Sequence, residues 1–210
     1  MNNPTNSLWP TPKDDRDFNL GAVMGRALPA DLPDEYSVAD PIVIKDQGQT
    51  DMCTAYALTA VSEDEEGVPL DPFFTFGATK AITGNPAEWG ADLRSACKSA
   101  VFREEGPWGG LEAKDLSKLT RPATQADRDR AADHTFITNE EREEAKKHAK
   151  KSFFSVVDGD GDIFDDMRSA LWQMRAFEKR SIFTGCNWRS VWTHGGGTIE
   201  TAPSGQTFGH

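Results

Sequence analysis

Lys45-Asp46-Gln47-Gly48-Gln49-Thr50-Asp51-Met52-Cys53-Thr54-Ala55-Tyr56-Ala57 joins a polar loop to the start of an apolar stripe. The β-branched run Pro41-Ile42-Val43-Ile44 ahead of it predicts a short strand, and the loop occupies Lys45 to Asp51. Met52 to Glu63 then reads as a helix with Asp51 as N-cap and an apolar face of Cys53, Tyr56, Ala57, Ala60 and Val61. Cys53 thus stands at a helix N-terminus, where unpaired N–H groups and the helix dipole favour a thiolate over a thiol. The position equally suits a small buried residue opening a core helix. Position alone does not choose between them.

The local sequence adds a preference. This segment resembles the active-site segment of papain-like cysteine peptidases, and is most similar to their intracellular bacterial and phage branch, which reads roughly D-Q-G-Q-x-G-S-C-T-A-x-A. The resemblance implies that Cys53 is the nucleophile and that Gln47, six residues earlier, donates its side-chain amide to the oxyanion. Acyl transfer needs such a donor fixed where negative charge develops, beside the backbone N–H of the cysteine itself. Asp51 and Met52 stand where the family has Gly and Ser, and Thr54 replaces a common Trp. A carboxylate at Asp51 is expected to oppose thiolate formation.

Working outward, Asp71-Pro72 opens a second helix, with Asp as N-cap and Pro in the first turn. A third helix is predicted from Asp92 to Glu105, since Leu93, Ala96, Cys97, Ala100 and Val101 recur at helical spacing. Its entry, Gly90-Ala91-Asp92-Leu93-Arg94-Ser95-Ala96, resembles the family's G-x-x-[IL]-R-D-A segment. There the resemblance implies backbone pairing with substrate at Gly90; a glycine serving only the helix entry explains the residue equally well. Gly106 to about Thr138 reads as an irregular connector, and Asn139 as the cap of a charged helix to about Lys151. Phe153 to Val157 and Ser181 to Gly185 read as strands on either side of a helix from Ile163 to Phe177. The expected fold class is α+β: a papain-like two-lobe fold, with a helical lobe over about 41–150 and a partial antiparallel β lobe over about 151–210. Residues 1–40, with five prolines and Pro41 just beyond, read as an extended leader or docking arm.

Four histidines are available to serve Cys53 as base: His134, His148, His194 and His210. His148 lies on a Lys/Glu-rich helix face, His134 in a polar connector, and His194 before Gly195-Gly196-Gly197. Phe208-Gly209-His210 resembles the family's G-H-A segment, which implies that His210 is the general base. The resemblance further implies strands after this histidine and an Asn or Asp to orient it. The expectation is therefore a missing C-terminal segment, or another chain, completing the second lobe.

Cys97 and Cys186 read as small core residues. Three widely spaced cysteines suit neither a disulfide framework nor a zinc site, and no metal or other cofactor is expected. Asp158, Asp160 and Asp162 alternate around two glycines, but a calcium loop beginning there would need Gly and Glu where Ile163 and Ser169 stand. The 210 residues carry a net charge of −11, which argues against nucleic acid as a partner. No apolar run approaches the ~20 residues of a membrane span, and the first thirty residues lack a signal-peptide core. A cytoplasmic or virion-associated protein is expected, acting on a peptide or protein substrate through a Cys thioester. The alternative is a non-catalytic structural or interaction protein on the same fold, such as a phage virion component. A related acyl transfer would use the same residues.

Overall fold

The computed structural model describes residues 19–20, 32–33, 41–102, 108–156, 163–174 and 181–184, and the backbone of strands 187–189 and 207–209. Helix α1 runs Cys53–Glu66 and ends at Gly67, whose left-handed backbone (φ 72°) directs its N–H to the Glu63 carbonyl. Its N-cap is Met52, which supplies no side-chain bond, whereas the expected cap, Asp51, points into the interior. The buried face also differs from the apolar stripe. Leu58, Thr59, Ser62 and Glu63 are buried while Ala57 and Ala60 are exposed. Buried polar partners draw the helix round: Lys45 Nζ lies 2.6 Å from Glu63 Oε1 and donates to Thr59 Oγ1 (2.9 Å), and the Leu70 N–H donates to Glu63 (2.6 Å). Burial pushes the Lys45 ammonium below its ordinary range, opposed by Glu63.

The central helix, α2 (Pro72–Thr83), begins as expected, with the Asp71 carboxylate accepting from the Phe73 N–H at 2.7 Å and Pro72 in the first turn. Phe74, Phe76, Ala78, Thr79 and Lys80 are all buried along it. Helix α3 (Leu93–Ala100), capped by Asp92, stops short of the expected Glu105. Val101 is extended, and the chain there pairs with Lys150: Phe102 N–H donates to the Lys150 carbonyl (2.9 Å) and Lys150 N–H to Ala100 (2.7 Å).

The presumed connector is structured. It holds α4 (Leu116–Thr120), α5 (Gln125–Ala132) and a 3₁₀ turn, His134–Phe136, before α6 (Asn139–Ala145) and a second 3₁₀ turn, Lys146–His148. Its polar composition is that of caps. Asp115 and Asp133 accept backbone N–H groups, while Thr124 with Asp127 and Thr138 with Glu141 form capping boxes. Arg121 chelates Asp127 (2.8 and 2.9 Å) and holds that carboxyl well below its usual range. Helix α2 packs against α1, α3 and α5, and Met52, Tyr56, Phe76, Ala123 and Ala132 close a core where α1, α2 and α5 meet. Helix α7 (Ile163–Met174) follows.

The α+β, two-lobe expectation is overturned: among the described residues the molecule is helical, with no β lobe, whole or partial. Strand pairing amounts to one antiparallel ribbon, β1 (Asn187–Arg189) with β2 (Thr207–Gly209), and isolated bridges at Asn19↔Ser155, Leu70↔Glu112 and Val101↔Lys150. Runs of four or five β-branched and aromatic residues suit a strand only when a neighbour pairs with them; periodicity cannot supply the neighbour. Ile44 is 80% exposed and residues 41–44 join no ladder. Residues 153–156 make a single bridge, and 181–184 pack over α1 unpaired. Most of the 1–40 leader lies outside the described residues, but two points touch the body. Leu20 is buried with its N–H on the Ser155 carbonyl (2.8 Å), and the Pro33 carbonyl accepts from Arg168 (3.3 Å).

Candidate functional site

Cys53 is the first residue of α1, so its N–H belongs to the first turn, which has no intrahelical acceptor. The side chain is 7% exposed and is not in a disulfide. The loop before it is locked from within. The Gly48 N–H donates to Asp46 Oδ1 (2.8 Å), and Thr50 Oγ1 donates to the Gln47 carbonyl (2.8 Å). Gln47 Nε2 donates to the Thr50 carbonyl at 3.3 Å, so the amide expected at an oxyanion lies against its own loop.

A second element clamps that loop from outside. Asp46 N–H donates to the Leu119 carbonyl (2.8 Å) and the Ala123 N–H returns to Asp46 (3.2 Å). Gly48 has a left-handed backbone (φ 57°), and a Cβ there would stand 2.4 Å from the Ala123 carbonyl oxygen. Glycine is required twice over, by backbone angle and by contact. The stretch from α4 to α5 is therefore the outer wall of the Cys53 loop.

Asp51 is the innermost residue of that loop. Its side chain is fully buried and receives a two-pronged ion pair from Arg128 of α5, Nε to Oδ1 at 2.8 Å and Nη2 to Oδ2 at 2.9 Å. The Gly90 N–H adds a third bond to Oδ2 at 2.5 Å. Arg128 also donates to the Pro86 and Glu88 carbonyls, and its guanidinium lies 5.6 Å from the Phe76 ring centre and 5.9 Å from that of Trp89. Lys80 of α2 enters the same interior, with Nζ on the Glu88 (2.6 Å) and Gly90 (2.5 Å) carbonyls and 5.1 Å from Phe76. Burial pushes its ammonium down to about 8, with Asp51 holding it up and Arg128 pressing it down. The carboxylate that the sequence set against a thiolate is thus matched by two buried cations.

Gly90, expected to pair with substrate, has a left-handed backbone (φ 79°), its N–H on Asp51 and its carbonyl on Lys80. Cys97 lies half-buried on α3 and lines a cavity of about 210 Å³. Cys186, His194 and His210 lie outside the described residues, although β2 brings Gly209 opposite Asn187. His134 sits in its 3₁₀ turn. His148, expected to be solvated, is half-buried with Nδ1 3.0 Å from Glu66 Oε2. Glu112, Glu144 and His148 bring ligand atoms within 4.8 Å of one another, but Glu144 pairs with Lys147 at 2.5 Å and His148 with Glu66. Two of the three side chains therefore already have partners outside the cluster.

Arg128 and Lys80 went unread in the sequence. The available signal was Asp51 itself: a carboxylate opening an apolar helix must either face water or find a buried cation. The Thr124-Gln125-Ala126-Asp127 box marks the helix that delivers one.

Among solved structures, the chain is similar to xylellain, a cysteine protease from Xylella fastidiosa, with 19% sequence identity and a TM-score of 0.57. The likeness covers 80% of this chain but 62% of that one, so the chain spans less than two thirds of its counterpart. No family model and no curated relative matches. The likeness establishes that this chain shares a fold with a cysteine protease.

Proposed function

We propose that the chain is a cysteine-type peptidase domain with Cys53 as nucleophile, His210 as base and Gln47 as oxyanion donor. The observation that carries the reading is a cysteine opening a helix directly behind a clamped loop, in a chain that shares a fold with a cysteine protease. The Cys53 thiolate attacks the scissile carbonyl carbon, and the displaced electron pair moves to oxygen. The Gln47 amide and the Cys53 N–H hold that oxyanion. As the C–N bond breaks, the His210 imidazolium gives its proton to the leaving amine, leaving a thioester on Cys53. Water, deprotonated by His210, then attacks the thioester and releases the acid and the thiolate. The Gln47 amide carries two N–H donors, and the one on the Thr50 carbonyl is held by a long bond of 3.3 Å.

A non-catalytic scaffold on the same fold is the second reading, favoured by one observation: Cys53 is nearly closed to solvent with Gln47 turned into its own loop. Labelling with an epoxysuccinyl inhibitor, read by intact mass on the native chain and on Cys53→Ala, separates the two. A single Cys53-dependent adduct, formed faster than on Cys97 or Cys186, is the result expected of a peptidase. Labelling at the rate of an ordinary thiol would leave the scaffold.

A further inference from the structure

The leader meets the body through both backbone and side chain. Asn19 forms a parallel bridge with Ser155, and the Leu20 N–H donates to the Ser155 carbonyl at 2.8 Å. The Leu20 side chain is 7% exposed and belongs to the wall of the cavity of about 210 Å³, with Leu58 and Val61 of α1, Ala100 of α3, Phe153 and Ile182. Backbone pairing along an extended edge, with an apolar side chain taken into a pocket, is a general way of recognising an extended peptide: the main chain supplies affinity and the pocket selectivity. The leader's sequence suits that role. Phe18, Leu20, Val23 and Met24 form an apolar island between the charged run Lys13-Asp14-Asp15-Arg16-Asp17 and Arg26. Further along the arm, Arg168 Nη2 of α7 donates to the Pro33 carbonyl (3.3 Å), and the same helix brings Met174 to the cavity.

This place is separate from the candidate active site. The α1 residues that line the cavity, Leu58 to Glu65, stand about 8 to 18 Å from Cys53 along the helix axis. The charged groups beside it are already engaged: Lys150 pairs with Glu65 at 2.9 Å, and Asp64 accepts from Ser181 Oγ. The rest of the lining is apolar save Ser62, Ser152 and the Cys97 thiol. A charged peptide side chain would give up water there for little return, whereas an aliphatic one gains by leaving water.

We propose that the cavity and the 153–156 edge form a docking site for an extended peptide with an aliphatic anchor, and that its occupant is the chain's own leader, held through Leu20. Nothing in this docking depends on the chemistry of Cys53. An arm held by one anchor residue is exchangeable. Removing that anchor frees edge and pocket for the same peptide offered in trans.

The test uses the full 210-residue chain, its Leu20→Asp variant and a fluorescein-labelled peptide of residues 15–25, followed by fluorescence polarisation. The peptide should bind the Leu20→Asp chain saturably. It should bind the native chain about tenfold more weakly or worse, because the native site is filled in cis and burial of one leucine side chain favours that state by this factor. The same peptide carrying Leu20→Asp should bind neither chain. Cys97, in the cavity wall, should be alkylated by iodoacetamide faster in the Leu20→Asp chain than in the native one, and the native peptide should slow it again, with Cys53 unaffected. Equal binding to both chains, equal binding of both peptides, or no binding to the Leu20→Asp chain overturns the proposal. A native chain that sediments as a dimer, with Leu20→Asp monomeric, would seat a second copy's leader in the site and overturn the assignment of the occupant. Should Leu20→Asp fail to fold, Leu20→Ala keeps the backbone pairing, loses most of the anchor, and carries the same comparison with a smaller difference.

Discussion

Two cysteines on neighbouring helices sit in opposite surroundings. Cys53 opens α1 against a wall of ion pairs and backbone clamps supplied by α2, the Pro86–Gly90 turn and α5. Cys97 lies on α3 beside an apolar cavity whose walls include Leu58 and Val61 of α1, Phe153 and Ile182. One region is dense in buried directed bonds, while the other is lined mostly by apolar side chains, with the Lys150–Glu65 ion pair (2.9 Å) among them. The contrast teaches that two cysteines on similar helices are told apart by the groups that distant parts of the chain bring beside them. A helix with a cysteine on it is only the starting point.

The sharpest way to break the comparison is to cut the wall at its strongest bond. Arg128→Met strands the fully buried Asp51 carboxylate, and removing one partner of a buried pair costs about 3–5 kcal/mol. Urea denaturation should show that loss. A loss below about 1 kcal/mol would mean that Asp51 finds water when Arg128 is gone, and the wall would be no tighter than the cavity.

On the other side, Leu58→Ala removes a buried side chain from the cavity wall and should cost about 3 kcal/mol, the usual range for such truncations. The expected signature is lost stability with Cys53 alkylation unchanged and Cys97 alkylation accelerated. Equal acceleration at both thiols would show that α1 transmits disorder along its length, and the two regions would not be independent.

How legible this was in the sequence follows the same divide. The loop–helix unit at 45–66, the Asp71-Pro72 cap and the start of α7 were readable because each depends on residues adjacent in sequence. The helices at 116–132 were hidden because their signal is capping: Thr124-Gln125-Ala126-Asp127 carries no apolar stripe, and the helix it starts is mostly polar. The strands expected at 41–44 and 153–157 failed for the converse reason. Their composition suited a sheet, but pairing is a property of two segments and one cannot announce it. Asp51 shows the limit most clearly. Its carboxylate was visible, and the reading that it opposes a thiolate was sound for an isolated acid. Its partner stands 77 positions away on a helix that periodicity does not reveal.

The finest contrast lies in how the wall responds to pH, and Lys80 decides it. Its folded value of about 8 is below that of the unfolded side chain, because burial disfavours the charged form. Between pH 8 and 10 the unfolded chain therefore keeps a proton that the folded chain has released. Proton binding favours the unfolded state at low pH, so raising the pH removes that bias and folded stability rises. Lys80→Met has no such proton to lose. In a Cys53→Ala background, where thiol ionisation cannot contribute, the Lys80 protein should gain about 1 kcal/mol on its Lys80→Met counterpart from pH 7.5 to 10, solvent screening allowed for. Urea titrations at the two pH values measure it. A flat difference would mean that Lys80 stays charged throughout. A gain means that the charge fades above pH 8, as burial of the ammonium requires. The apolar side, lined by Leu58, Phe153 and Ile182, offers no counterpart to this response from those residues, and Leu58→Ala should cost the same at both pH values.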